Sequence, residues 1–517
     1  MRLTTEMENG GSSEGKSVGG TGRKLAYGSA LRVASLGATG LVSVLIMPFV
    51  VRSLGDRLYG IWTLVATFVG YYGLLDLGLS GAVSRFIAGA LGSEDEEQCN
   101  RVFNTALMVF SAIAVVLVVF GSAVAALAPL FCRSPDDAAL FWRVILILTF
   151  SLALGFPLKV FIGALEAHLR FDSTAALELL SLSIRTALVI ATLLCGYKVV
   201  GLAWATFFAG IPSAVLYVYL SHRNLPFLRI DRKYWSRATA KSLFSYSAFS
   251  AILQLANIIR FDVDALVIAA YVSLAAVTHF RIASALVQNF LGLITAIVGV
   301  FSFVFSRQDG ARDFEAIKKT FFFATKISAC VSSFVGFGLI AWGKPFIARW
   351  MGPQYLDAYP CLVILVLGYI FALWQTPSVS LFYGISRHKV FAIFTCAEAL
   401  ANLLLSLLLV RSYGIFGVAF GTFLPMVLVK LLIQPLYACH VLSVCYTDYL
   451  CRMGKTLALI AGSLVVPFLL SAHFASPDYK SLFALGIASM LCYSLPLMIY
   501  EFTPAERTML QQAIFPR

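Results

Sequence analysis

The sequence predicts an all-α membrane protein of about fourteen transmembrane helices, and three observations predict it. Hydrophobic residues make up 60% of the 517 positions and charged ones only 13%, with a mean hydropathy of +0.86. Runs of about twenty apolar residues, long enough to cross a bilayer as helix, recur along nearly the whole chain. Lys and Arg crowd into alternate connections between those runs. A soluble protein of this size could not hide so much apolar surface.

The first 24 residues are polar and rich in Gly and Ser, with no apolar core. They predict a disordered tail rather than a cleavable signal peptide. Spans are expected at about 27–51, 58–82, 102–130, 139–166, 172–195, 198–221, 242–269, 276–306, 320–343, 358–383, 389–411, 414–437, 454–472 and 481–500. Gly and Pro inside them are compatible with helix in lipid, where neighbouring helices satisfy freed backbone groups. The longest connection, HRNLPFLRIDRKYWSRATAK, is too short to fold by itself.

Orientation follows from the basic residues. With the N-terminus inside, cytoplasmic segments hold 23 of the 39 Lys and Arg, the opposite side nine, and the spans seven. This bias predicts both termini in the cytoplasm. The net charge of +13 thereby records topology, and nucleic acid is not an expected partner.

A weak duplication runs through the chain. YKVVGLAWATF (197–207) matches YGIFGVAFGTF (413–423) at an offset of 216. ALELL with Glu178 aligns with CAEAL with Glu398 at 220, and the turns SLGDRLYGIW and YVSLAAVTHF correspond at 218. Nearly equal offsets in the same order predict two pseudo-repeated six-helix lobes plus two C-terminal helices. The expected organisation is a tail (1–24), an N-terminal lobe (25–222), a basic linker (223–241), a C-terminal lobe (242–440) and two further helices with a short tail (441–517). Internal repeats of this kind are typical of secondary transporters.

Thirteen ionisable residues fall within the spans: Arg32, Lys159, Arg185, Arg260, Arg281, Lys326 and Lys430 against Asp76, Glu166, Glu178, Asp262, Asp264 and Glu398. Charges at that depth face a bundle interior or an aqueous cavity, and often one another. Arg32, Lys326 and Lys430 lie near helix ends, where their stems can snorkel to the interface. Lys159 with Glu166, and Glu178 with Arg185, stand seven apart on shared faces and can neutralise each other. In RFDVD, Arg260 and Asp264 are four apart and can pair, while Asp262 points elsewhere, with Arg281 as a candidate partner. Asp76, among Gly73, Gly78 and Gly81 near the expected cytoplasmic end of the second span, suits either an inner gate or a fixed interhelical bond. The ten cysteines form no C-x-x-C pair, the six histidines no constellation, and no phosphate-binding G-x-x-x-x-G-K-[ST] motif occurs.

Several segments resemble the bacterial oligosaccharide flippase family, the O-antigen and exopolysaccharide translocases of the multidrug/oligosaccharidyl-lipid/polysaccharide exporter superfamily. They are SLGDRLYGIWTLVATFVGYYGLLDLGLSGAVSR, DALVIAAYVSLAAVTHFRIASAL with Asp264 at a frequent family aspartate, FSRQDGARDFEAIKK, and ARWMGPQYLDAYPCLVILVLGYI. Ser273 and Thr278 stand where that family usually has glycines, and Phe303 where it has a proline. The resemblance implies an alternating-access exporter of undecaprenyl-diphosphate-linked oligosaccharide in the bacterial inner membrane. It implies no cofactor, with proton or sodium coupling left open. Membrane lipids and the polysaccharide polymerase and chain-length machinery are the implied partners. Arg260, Arg281, Arg32 and Arg185 are then the candidate substrate contacts, since guanidinium suits a diphosphate. Asp76, Asp262, Asp264, Glu178 and Glu398 are the candidate coupling or gating groups. The alternatives are a cation-coupled multidrug extruder of the same superfamily and, from another class, a membrane-embedded polysaccharide polymerase or ligase. An enzyme is not expected, because no large outer loop exists to hold a catalytic site.

Overall fold

The computed structural model describes residues 37–76, 78–132, 134–168, 171–247, 263–299, 301–385, 387–473, 478–504 and 506–507. Among them all regular structure is helical, and twelve helices are long and apolar enough to cross a membrane. One of these, Lys389–Leu442, counts twice. At Gly414 (φ 55°, ψ −133°) the chain leaves helical geometry, and the second arm folds back until Ser406 Oγ lies 3.5 Å from the Val418 carbonyl. The expected span at 242–269 is seen as helix at 237–247 and Val263–Tyr271, and the residues between 247 and 263 lie outside those described. The all-α polytopic fold is as predicted, and the count is consistent with about fourteen.

The chain divides into two compact units, Met1–Gln254 and Leu255–Arg517. The first contains Gly37–Leu54, the interrupted pair Asp56–Tyr72 and Leu79–Gly92, then Glu96–Ala126, Pro135–Ala167, Phe171–Leu194 and Lys198–Asn224. Its core holds Tyr72, Phe103, Phe110, Phe141 and Phe156, all fully buried, while Val115, Val119, Leu154 and Leu194 face outward. The second contains Leu274–Gly299, Phe314–Trp350, Ala358–Trp374, the folded-back His388–Leu428, Tyr446–His473 and Tyr479–Tyr500. Phe305, Phe321 and Phe382 are buried there, and Phe483 and Leu495 face outward. Large apolar side chains on the outside of a helix are the surface offered to lipid.

Helix starts are marked by side-chain caps. Asp95 accepts from the Gln98 N–H, Asp313 from Ala316 and Asp478 from Ser481, at 2.8, 2.9 and 3.0 Å. Each cap satisfies a backbone donor left over where the helix begins.

The duplication is visible in geometry. Arg57 Nε donates to Asp137 Oδ1 at 2.7 Å, and His279 Nδ1 sits 2.6 Å from Asp357 Oδ1. Each pair joins the helix that follows the first turn of its unit to the start of the helix two places later. Small residues close each terminal hairpin. A Cβ on Gly201 would stand 3.2 Å from Thr192 Cβ, and one on Gly421 would stand 2.6 Å from the Ser406 nitrogen.

The basic linker is strapped to the first unit. Asn100 accepts from the Arg229 N–H at 2.8 Å and donates to the Phe227 carbonyl at 3.2 Å. One helical turn on, Asn104 accepts from the Asp231 N–H at 2.9 Å and donates to the Arg229 carbonyl at 2.7 Å. Thr105 Oγ1 accepts from Ser236 N–H at 3.2 Å, and Leu225 and Leu228 are buried beneath. Two buried amides thus replace the water that an extended segment would otherwise need.

Two outcomes follow. Gly421→Val overpacks the second hairpin and costs about 1–3 kcal/mol, read as a lower melting temperature in detergent, whereas Gly210→Ala, mid-helix with open space at its Cβ, does not lower it and can raise it slightly. Asn104→Ala releases the strap, so tryptic cleavage after Arg229, Arg232 and Lys233 accelerates by about tenfold, the equivalent of about 1.4 kcal/mol in local opening.

Candidate functional site: charged groups at membrane depth

In the first unit the second span runs to Gly92, ten residues past its expected end, and it is broken. The α-helix stops at Tyr72 and tightens into a 3₁₀ turn over Gly73–Asp76. Gly78 then adopts the left-handed conformation (φ 73°, ψ 12°) before helix resumes at Leu79. A side chain bearing a Cβ would be strained at Gly78. Asp76 therefore stands at the break, sixteen residues or about 24 Å of helix from Gly92. This corrects the expectation that it lies near the cytoplasmic end.

Asp76 is 9% exposed. Its Oδ1 accepts from the Ser80 N–H at 3.0 Å, its two oxygens stand 3.0 and 2.8 Å from Ser80 Oγ, and Oδ2 accepts from Lys159 Nζ at 2.7 Å. The carboxylate caps the resumed helix and neutralises a lysine from Pro135–Ala167 at once. Lys159 also lies over the Phe156 ring at 4.5 Å, with 30% of its side chain exposed. From Ser80 the polar chain continues: Ser84 Oγ lies 3.2 Å from both the Ser80 carbonyl and Glu166 Oε2.

Two pairings differ from expectation. Lys159 meets Asp76 across the helix interface instead of Glu166 along its own helix, because the break turns the carboxylate towards it. Glu178 and Arg185 are both exposed on Phe171–Leu194, and no ion pair within 4.0 Å joins them.

In the second unit Asp264 is buried and accepts from Thr422 Oγ1 at 3.0 Å. That hydroxyl also lies 3.3 Å from Asn402 Oδ1, to which Ser406 Oγ donates at 3.0 Å. Glu398 and Lys430 form an ion pair at 3.5 Å, with side chains 2% and 5% exposed. Lys430 donates to Gln434 Oε1 at 2.8 Å, Gln434 Nε2 to the Gln375 carbonyl at 2.9 Å, and Gln375 Nε2 to Tyr449 Oη at 2.8 Å. Lys430 sits in a π-helical turn, Val429–Ile433. The following Pro435 has no N–H and crowds the carbonyl four residues before it, which opens the turn, and Tyr446 Oη donates to that Leu431 carbonyl at 3.3 Å.

Lys430 thus does not snorkel, as its position near a helix end suggested, because Glu398 and Gln434 hold it inside. Lys326 reaches Glu506 and Glu501 at 3.5 and 3.9 Å, on the segment after the last helix. Arg281 is half-buried, with no carboxylate within 4.0 Å among the described residues. Arg32, Arg260 and Asp262 lie outside the described residues, and with them the expected Arg260–Asp264 pair. No group of three or more His, Cys, Asp or Glu that could hold a metal ion occurs among the described residues. The neutral members Ser80, Asn402, Gln375 and Gln434 were missed from the sequence. For Ser80, Asn402 and Gln434 the signal was an amide or hydroxyl one helical turn from a charge, as in D-x-x-x-S, E-x-x-x-N and K-x-x-x-Q, whereas Gln375 has no charge at that spacing.

The Glu398–Lys430 pair predicts a coupled stability response. Lys430→Met strands a buried carboxylate and costs about 3–5 kcal/mol, while Lys430→Met with Glu398→Leu recovers most of it. Thermal melts of the three proteins in one detergent measure the coupling.

Residues 26–307, more than half of the chain, match the family model described as polysaccharide biosynthesis protein. The uncharacterised membrane protein EpsK of Bacillus subtilis (strain 168) is 22% identical over 480 residues, covering 90% of this chain and 93% of that protein. A candidate O-antigen transporter of Shigella flexneri is 22% identical over 416 residues, covering 77% and 94%. Among solved structures, the inward closed conformation of the lipid II flippase MurJ superposes with a TM-score of 0.69 at 16% identity, covering 90% of this chain and 98% of that one. The chain belongs to the polysaccharide biosynthesis protein family.

Proposed function

We propose that this multi-pass membrane protein is a flippase for lipid-linked oligosaccharide. It moves an undecaprenyl-diphosphate-linked sugar from the cytoplasmic to the outer leaflet of a bacterial inner membrane, by alternating access and with both termini inside. The observation that carries this reading is the Asp76–Lys159 pair. A lysine 30% exposed at its side chain, following an apolar run of Pro135–Ala167, presents a cation at membrane depth beside a break in its neighbour. Such a group is costly in hydrocarbon unless it meets water or a polar ligand. The family, and relatives named for O-antigen transport and lipid II flipping, support the same class of substrate.

The physical task fits. Sugar hydroxyls and phosphates cannot leave water for hydrocarbon unaided. A bundle that supplies polar partners along its interior lowers that barrier while the prenyl tail stays in lipid. An inside-negative potential assists an anion moving outward by about 2.3 kcal/mol per charge per 100 mV. In this reading Lys159 attracts the diphosphate, and Arg281 is a separate candidate contact. Asp76 holds Lys159 in place between cycles and releases it when an anionic headgroup competes. Arg32, Arg185 and Arg260 are further candidate contacts, with Asp262, Asp264, Glu178 and Glu398 as candidate coupling or gating groups. Coupling to protons or sodium ions and association with polymerase and chain-length proteins belong to the same proposal.

Reconstitution into liposomes with labelled lipid-linked oligosaccharide tests it, scored with and without ion gradients. The wild-type protein transfers label to the far leaflet. Asp76→Asn, at equal membrane abundance, slows transfer by about tenfold or more, a barrier change of at least about 1.4 kcal/mol. Full activity of that variant ends the role given to Asp76. Movement of amphipathic cations in place of the sugar lipid would assign the chain to multidrug extrusion.

A further inference from the structure

The two C-terminal helices enclose a pocket that the transport reading does not use. It has a volume of about 820 Å³ and opens where three helices of the second unit end on the same face: the start of Phe314–Trp350, the start of Tyr446–His473 and the end of Tyr479–Tyr500. That volume lies within the range of about 300–1,000 Å³ common to small-molecule sites. Phe322, Val444, Met453 and Tyr500 supply its apolar wall.

Five basic side chains in its lining face four carboxylates, a net charge of +1, and three of the five cations stand outside the ion pairs. Lys318 is held by Glu315 at 2.8 Å, and Lys326 by Glu506 and Glu501 at 3.5 and 3.9 Å. Glu501 also accepts from Thr456 Oγ1 at 2.6 Å, and Glu506 from the Thr503 N–H at 2.8 Å. That leaves Lys319, Arg452 and Lys455 against the carboxylate of Asp448. No carboxylate lies within 4.0 Å of any of the three cations among the described residues. The Arg452 guanidinium is stacked on the Phe322 ring at 4.5 Å, so its orientation is set in advance and its N–H edge is free for an anion. At the mouth the lining includes the exposed ring of Tyr500, at the end of the last helix. Unpaired cations beside an apolar wall and an exposed aromatic rim, at the ends of spanning helices, fit a phosphate head attached to acyl chains.

We infer that this pocket binds the anionic phosphate headgroup of a membrane phospholipid, with Arg452, Lys455 and Lys319 as the phosphate contacts. The lipid fastens the two C-terminal helices to the helix Phe314–Trp350 and is not transported. A free phosphate compound shares the recognised group but lacks the chains that the rim would hold.

Cys445 reports on occupancy because it lines the pocket. Hydrogen bonding to Thr447 Oγ1, 3.0 Å away, and to the backbone N–H groups of Thr447 and Asp448 holds its thiol below the usual range, so it alkylates readily. Cys451, exposed on the same helix and not lining the pocket, is the internal standard for changes in surface potential. The full-length protein is placed in nanodiscs of phosphatidylcholine, with or without phosphatidylglycerol, treated with neutral iodoacetamide, and read at both cysteines by mass spectrometry.

Phosphatidylglycerol is expected to slow alkylation of Cys445 relative to Cys451 by about tenfold, the protection of a site nine-tenths occupied. Arg452→Gln with Lys455→Gln removes that protection, and Lys319→Gln, at an exposed position, weakens it without burdening the fold. Equal rates in both bilayers, or protection that persists in the double variant, overturn the inference. Equal protection by inorganic phosphate in phosphatidylcholine alone overturns the lipid assignment. No transported substrate is present, so the result stands apart from the flippase proposal.

Discussion

An ion in hydrocarbon has to be neutralised or hydrated where it stands, and that requirement shapes both units of this protein. Asp76 and Lys430 show how it is met. Each lies where the helix departs from α geometry, one beside a 3₁₀ turn and a left-handed glycine, the other in a π turn. A departure from α geometry frees backbone groups, which in lipid must find partners within the protein. At the first break the freed Ser80 N–H goes to Asp76, and at the second the Leu431 carbonyl takes the Tyr446 hydroxyl. The charge and the break thus solve each other's problem. Restoring a continuous helix would deprive the carboxylate of a donor, and removing the carboxylate would leave a buried N–H unsatisfied.

Much of the fold was legible in the sequence because each spanning helix satisfies its own backbone and declares itself by its apolar run. The division at 411–414 came from composition alone, and Gly414 is where the chain turns. Pairing between helices was a different matter. Lys159 and Glu166 share a face, yet Lys159 reaches Asp76, because pairing depends on helix rotation and crossing, which spacing along one helix does not contain. Lys430 was read as snorkelling from its distance to a helix end. Its burial comes from Glu398, on the other arm of a hairpin whose turn lies between them. The neutral amides Gln375 and Gln434 escaped notice because only charged residues stand out against an apolar background.

The internal repeat preserved geometry more than residue type. Arg57–Asp137 and His279–Asp357 occupy the same station in their units, with a guanidinium in one and an imidazole in the other. Gly201 and Gly417 occupy equivalent places in the terminal hairpins, where close backbone approach demands a small residue. These positions hold neighbouring helices in close contact.

Among the described residues the hydrogen-bonded charge networks differ between the units. In the first unit the polar chain runs along the interrupted second span and Pro135–Ala167, whereas in the second it runs from the folded-back hairpin through Gln375 to Tyr449 on Tyr446–His473. The scaffold repeats while the described interiors differ. Its exposed lysine lies in one unit, while the buried, fully enclosed pair lies in the other. Because an enclosed pair resists exchange with a ligand and a part-exposed one permits it, the first unit is the better place to look for contact with an anionic headgroup. In the second unit the Glu398–Lys430 pair is closed to such exchange.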